Sequence, residues 1–297
     1  MARTETALNK KLPFLSVPGA TLWRLAQFWE AHMITRTEPW PAGTPCWGDL
    51  MVPDRDKAVA FYESLLGWTV ESGGPETGYY GMAQVAGKPV AGIGQIPPEQ
   101  ADMPPMWTTY LSVSDVDKTA AAIVEAGGQV IAPPMDVLTE GRMAIATDPA
   151  GATFGLWQPG RHSGTQATLT PGAPAWNECM TRDFAAAKQF YADVFGYGFG
   201  DMSAPGFTYA TLDIDGRPVG GLGELAADSP AQPGWVTYFW TSDADESAAR
   251  IPQLGGTVVS PPVDTPYGRM VAAVDDQGAG FSLMAPNDQS GTQEGWG

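Results

Sequence analysis

The sequence predicts an α+β chain in which one domain is written twice in tandem, each copy assembled from two βαβββ modules. Three observations predict it. Ordered matches recur at a spacing near 129 (176 − 47): Trp47 with Trp176, Asp54 with Asp183, and Phe61 and Tyr62 with Phe190 and Tyr191. A weaker echo lies inside each copy, where Asp54–Ala58 and Asp115–Thr119 both follow a strand-like segment. Finally, 297 residues with 36 Gly and 27 Pro suit two domains of short elements joined by tight turns.

The elements follow in chain order. Residues 1–40 read as an N-terminal extension, poorly ordered or a single helix carrying Leu22, Leu25, Phe28 and Trp29. The first domain spans residues 43–160. Its first strand runs through Trp47 to Val52, and Asp54 caps a helix bearing Ala58, Phe61, Tyr62 and Leu65 at helical spacing. Gly67 stops that helix. A hairpin over Tyr80–Val85 and Ala91–Gly94 turns near Gly87 and Lys88. The second module repeats the order: a strand through Trp107 and Tyr110, a helix capped by Asp115, and strands flanking the turn at Asp148–Gly151. A linker, 161–171, leads to the second domain, 172–288, and a tail, 289–297. There Gly216–Gly223 matches Gly87–Gly94, Trp235 matches Trp107, Arg269 matches Arg142, and Asp275 matches Asp148. The spacing slips from 129 to 127 along the domain, as single-residue loop changes would cause.

Composition removes several function classes. A net charge of −17 repels nucleic acid, whose phosphates need clustered Lys and Arg. No apolar run approaches the roughly 18–20 residues of a membrane span. Cys46 and Cys179 form no CxxC pair, so neither a disulfide framework nor a zinc site is expected, and a reducing cytoplasm fits best. Gly92-Ile93-Gly94 lacks the rest of a phosphate loop. The expected partner is a small-molecule ligand, with the chain a monomer or homodimer.

The paired βαβββ modules, with Val52-Pro53-Asp54, Phe61-Tyr62, Leu66-Gly67-Trp68, Val113-Ser114-Asp115 and Asp148–Ala152, resemble the vicinal oxygen chelate superfamily of glyoxalases, bleomycin-resistance proteins and extradiol dioxygenases. Gly43–Trp47, Met103–Trp107, Gly155–Gln158 and Arg161–Gly164 are similar to its tandem two-domain members, among them a mycobacterial culture-filtrate antigen and proteins of actinomycete antibiotic clusters. The resemblance implies two vicinal-oxygen-chelate domains, each a curled mixed sheet around a cup. It also implies metal ligands on the first strand of each module and on the last strand. Those positions here are Trp47, Thr108, Trp176 and Val236, then Gly155 and Ser282. None ligates a divalent metal as His or carboxylate does, so no metal and no cofactor is expected.

Strand alternation from Trp47 places Asp49 and Met51 inside the first cup and turns Leu50 and Val52 to the helices. The same count puts Trp176, Glu178 and Met180 in the second cup. Tyr110 and Thr108, then Tyr238 and Val236, fall inside too, with Arg142 and Arg269 at the rims. Asp49 and Glu178 are candidate general bases and Tyr110 and Tyr238 candidate proton donors. Trp47, Met51, Thr108, Trp176, Met180, Arg142 and Arg269 are candidate ligand contacts. The aromatic residues could equally be packing that fills the space of a metal. Cys46 and Cys179 are expected among the helices, and Arg161 and His162 in the linker. Three functions compete: metal-independent binding of a small aromatic or cationic molecule for sequestration, delivery or resistance; cofactor-free acid–base catalysis on a natural product or reactive carbonyl; and a metal-dependent glyoxalase-type lyase. The first cup is the expected working site.

Overall fold

A computed structural model describes residues 33–287, which form two eight-stranded mixed sheets and a two-stranded ribbon. In the first domain, β2 (Pro45–Val52), α1 (Arg55–Leu66), β3 (Thr69–Ser72), β4 (Gly81–Val85) and β5 (Lys88–Gln95) make one module. Strand β6 (Met106–Ser112), α2 (Val116–Glu125), β7 (Gln129–Val137), β8 (Gly141–Thr147) and β9 (Thr153–Pro159) make the next. The second domain opens with β11 (Pro174–Thr181), α3 (Phe184–Phe195), β12 (Gly198–Asp201), β13 (Tyr209–Ile214) and β14 (Arg217–Glu224). It closes with β15 (Gly234–Trp240), α4 (Ala244–Arg250), β16 (Thr257–Thr265), β17 (Gly268–Val274) and β18 (Gly280–Ala285). The ribbon pairs β1 (Ile34–Thr35) with β10 (Ala167–Thr168). Residues 1–32 of the expected extension and the expected tail lie outside the described residues.

Both sheets have one order, β3-β4-β5-β2-β6-β9-β8-β7 and β12-β13-β14-β11-β15-β18-β17-β16, as duplication demands. In the first, β2 and β6 are antiparallel at the centre, and each runs parallel to the last strand of its own module. Central pairing sets Trp47 opposite Tyr110 and Asp49 opposite Thr108, so the first strands of two modules share one patch of floor. The helices start and stop where their caps dictate. Asp54, Asp115 and Asp183 each accept a backbone N–H three residues on, satisfying donors the first turn leaves unpaired.

Each helix buries one face, and these faces meet side chains of the other domain. One cluster joins Leu50, Val52, Phe61 and Tyr62 of the first domain to Phe239 and Phe281 of the second. Its counterpart joins Leu111, Ile123 and Phe154 to Cys179, Phe190 and Tyr191. Burying each such side chain is worth roughly 1.5–3 kcal/mol. Polar bonds at the same interface follow the repeat. Tyr62 Oη donates to Asp275 Oδ2 at 3.1 Å and accepts from Trp107 Nε1 at 2.9 Å. Tyr191, Asp148 and Trp235 reproduce the arrangement. Many residues that reveal the duplication in the sequence are therefore the ones that lock the copies together.

Cys179 sits among the helices as expected, but Cys46 does not. It joins the cluster of Trp47, Tyr110 and Trp157 in the first cup. The pairing of β2 with β6 shifts register between Pro45 and Trp47, which breaks the alternation that a regular strand would impose.

Candidate ligand-binding site

Strand β2 sends Leu50 and Val52 into the helix cluster and Trp47 into the cup cluster. Asp49, on the Trp47 face, is 8% exposed. Its Oδ2 accepts two phenolic hydrogens, from Tyr110 Oη at 3.1 Å and Tyr80 Oη at 3.3 Å. Trp47 Nε1 in turn donates to Tyr80 Oη at 3.0 Å. Asp49 Oδ1 is buried with no hydrogen-bond partner. Burial pushes the Asp49 carboxyl up to about 7, against the opposing pull of the Tyr110 and Tyr80 hydroxyls.

The side chains of the cup pack directly onto glycine. A Cβ on Gly92 would stand 1.6 Å from Tyr80 Oη, and one on Gly155 would stand 2.1 Å from Tyr110 Cδ1. Tyr80 and Tyr110 thus occupy space above residues that have no side chain. Gly94 does the same for Met51, whose sulfur would be 2.5 Å from an added Cβ. The doublet Gly92 and Gly94, excluded above as a phosphate loop, is a seat for side chains. Partly buried Met82, Met143 and Ile145 pack against the same cluster, the thioethers filling irregular gaps.

His162 also reaches this cup, although the sequence places it in a linker. Its ring stands edge-on to Trp47 at 4.4 Å between centroids and to Trp157 at 5.5 Å. Nε2 is buried without a partner. Burial lowers its pKa to about 4, so near neutral pH it is an uncharged imidazole.

The second cup repeats the acid and its two phenols, with Glu178 in place of Asp49, Val236 in place of Thr108 and Ser282 in place of Gly155. Trp176 Nε1 donates to Tyr209 Oη at 2.9 Å, which donates to Glu178 Oε2 at 2.8 Å, while Tyr238 Oη donates to Glu178 Oε1 at 2.7 Å. The extra methylene of Glu178 gives each phenol its own oxygen. The shorter Asp49 brings both phenols to one oxygen and leaves the other bare. Burial raises the Glu178 carboxyl as well. Met180 lies over Gly223 as Met51 lies over Gly94.

The expected site residues divide as follows. Trp47, Asp49, Met51, Thr108 and Tyr110 come together in the first cup, and Trp176, Glu178, Met180, Val236 and Tyr238 in the second. Arg142 and Arg269 are not brought to the rims. Arg142 pairs with Asp117 of α2 and with Asp136, and Arg269 pairs with Asp245 of α4 and with Asp264. Each sits one residue before a cup-facing Met on its strand, so its side chain leaves from the helix side. The hydroxyls of Tyr110 and Tyr238 already point their hydrogens at the carboxylates. Burial and those carboxylates raise both phenols well above their usual value, so they orient the acid better than they release a proton. Tyr80 and Tyr209 were missed as site residues, yet they share the spacing of 129 (209 − 80) and each precedes a matched glycine hairpin.

The metal implied by the fold does not fit these residues. Trp47 and Thr108 hold the first-strand positions, and the Tyr110 ring fills the space that a carboxylate side chain at Gly155 would need. Among the described residues there is no group of three or more His, Cys, Asp or Glu side chains placed to hold an ion. Nor is any helix among them long and apolar enough to cross a membrane.

Comparison with known proteins agrees with this architecture. The model of the glyoxalase/bleomycin resistance protein/dioxygenase superfamily matches residues 46–156 and again 176–285. A Mycobacterium bovis protein named "Putative glyoxylase CFP32" is 40% identical over 259 residues, covering 83% of this chain and 96% of that protein. The anthracycline biosynthesis protein DnrV of Streptomyces peucetius is 37% identical over 264 residues, covering 84% and 95%. Among solved structures, 2,2',3-trihydroxybiphenyl 1,2-dioxygenase of Sphingomonas wittichii superposes with a TM-score of 0.58 at 16% identity, over 86% of this chain and 95% of that one. The Mn(II)-bound glyoxalase of Novosphingobium aromaticivorans gives 0.58 at 16% identity, over 84% and 86%. At that identity the likeness concerns the fold.

Proposed function

The chain belongs to the glyoxalase/bleomycin resistance protein/dioxygenase superfamily, and from that premise we propose that its first cup binds a small aromatic, cationic organic molecule without a metal. The observation that carries this reading is Asp49 Oδ1, a buried carboxylate oxygen with no partner, set among aromatic rings. A buried polar atom is costly to leave unpaired, so the site gains most from a ligand that donates a hydrogen bond and brings a positive charge. The rings of Trp47 and Tyr110 supply faces for a flat cation. The acidic chain raises the local concentration of such a ligand. Similarity to a protein named for anthracycline biosynthesis supports an antibiotic or a pathway intermediate as the natural ligand, held for sequestration, delivery or resistance.

The test is a titration with proflavine, a planar three-ring cation, followed by tryptophan quenching and calorimetry at pH 8. Saturable one-to-one binding that Asp49→Asn weakens at least about tenfold is expected, the cost of losing one charged hydrogen bond. Absence of saturable binding, or equal binding by the variant, would reject the reading.

One observation favours a second reading, metal-free acid–base catalysis. The Asp49 carboxyl titrates at about 7, where a general base works well. In that case Asp49→Asn removes turnover of a carbonyl substrate while leaving its binding largely intact. Retained turnover in the variant would reject it.

A further inference from the structure

A cleft of about 520 Å³ lies between the two domains and shares Trp47 with the first cup and Trp176 and Trp240 with the second. Its volume falls within the roughly 300–1,000 Å³ of small-molecule sites. The ribbon side contributes Arg36, Trp40 and Thr44, and the second domain contributes Trp176, Arg217 and Trp240. Trp47 lines it too, but Asp49, Tyr80 and Tyr110 do not, so the cleft is separate from the carboxylate of the first cup.

Its polar groups differ in sign from those of the cups. Arg36 stacks its guanidinium over Trp40, 4.8 Å from the ring centre, and donates to the carbonyls of Glu38 and Pro39. It pairs with no carboxylate among the described residues, and neither does exposed Arg217. Arg142 and Arg269, by contrast, each sit between two aspartates. Against these two cations the cleft holds one carboxylate, exposed Asp215.

Two further polar residues belong to its walls. Thr44 Oγ1 is buried without a hydrogen-bond partner. Asn177 Oδ1 accepts from Thr109 and Thr237, both at 3.1 Å, which turns the amide so that its oxygen serves the protein and its NH₂ stays available. The position matching Asn177 in the first domain is Gly48, so the duplication does not reproduce this group. Four tryptophans, two arginines without carboxylate partners and the Asn177 amide make a site that differs from a packing gap.

We propose that this interdomain cleft is a second binding site, which takes a planar polycyclic aromatic molecule bearing a carboxylate or other anionic substituent, its rings between the tryptophans and its anion at Arg217 and Arg36. A guanidinium matches a carboxylate with two parallel hydrogen bonds, and flat rings of three or four members suit the volume.

Anthracene-2-carboxylate, which has the ring count of proflavine and the opposite charge, is the probe. Titration into the full chain is expected to quench tryptophan fluorescence with one-to-one stoichiometry. Arg217→Glu, an exposed change that leaves the fold intact by circular dichroism, is expected to weaken it at least about tenfold while proflavine binding is retained. Val219→Trp, which fills the cleft from β14, is expected to abolish it. No saturable binding by the wild type overturns the proposal, as does binding that both variants leave unchanged. Loss with Asp49→Asn but not with Arg217→Glu would place the anion's rings in the first cup and overturn it too. Failure of proflavine alone bears on the cup and leaves the cleft result standing.

Discussion

Replacing Asp49 with Asn should make stability less sensitive to pH, because Asn is a neutral isostere that still accepts from both tyrosines. The Asp49 carboxyl is raised from 3.8 to about 7 in the folded protein, chiefly by burial. A group whose pKa is raised on folding contributes fully below its unfolded value and loses that contribution as pH climbs through its folded value. The window is therefore about pH 4 to pH 7. Each tenfold in proton affinity is worth about 1.4 kcal/mol, so a rise of about 3 makes the ionised carboxylate cost about 4 kcal/mol above pH 7. Urea denaturation at pH 4, 5, 6, 7 and 8 checks this. The stability of Asp49→Asn relative to wild type should climb across the window by several kcal/mol and then level off. A flat difference would mean that Asp49 is solvated, and the argument for an unpaired buried oxygen would fail with it. The same titration governs ligand binding. Proflavine stays cationic across this range, so its affinity should rise as pH passes about 7, where the folded Asp49 ionises.

Other expectations follow from single contacts. Tyr110→Phe removes a hydrogen bond that favours the ionised Asp49, so the pH midpoint for proflavine binding should move upward; a downward move would contradict the assigned donor. Gly92→Ala drives a methyl group into Tyr80 and should cost about 1–3 kcal/mol in chemical denaturation, as overpacking does. Tyr62→Phe leaves the Trp107 indole N–H and one Asp275 oxygen without their shared partner, and should lower stability by about 1–3 kcal/mol, with an unchanged melting curve as the contrary result. Arg142→Ala and Arg269→Ala break only exposed ion pairs. They should leave proflavine affinity unchanged and shift stability by about 1 kcal/mol or less in thermal melts.

The repeat was legible in the sequence because backbone geometry is local. Asp caps, left-handed glycines and helical spacing of Phe61 and Tyr62 depend on neighbours within a few residues, and two copies state each signal twice. Alternation along β2 and β11 likewise placed Trp47 and Asp49, then Trp176 and Glu178, on one face, because a strand has a period of two. What failed was local irregularity and long-range contact. A bulge moved Cys46 into the cup, and helix-side aspartates drew Arg142 and Arg269 off its rim. Tyr80 meets Asp49 across 31 residues and His162 meets Trp47 across the linker, so neither partner could be read from spacing alone.

The sequence by itself determined that one domain stands twice, that each copy carries a Trp, an acid, a Met and a Tyr on its first strands, and that His and carboxylate are missing from the metal positions. These are matters of residue identity and period. Only the tertiary structure decided that the shorter Asp49 keeps one oxygen bare where Glu178 has none, because that outcome depends on one methylene and the position of two phenols. The cleft between the domains was likewise decided only when the copies packed, since its walls come from segments far apart in the chain. Free energy in a cup is set by distances of a few tenths of an ångström, and a linear pattern carries no such distances.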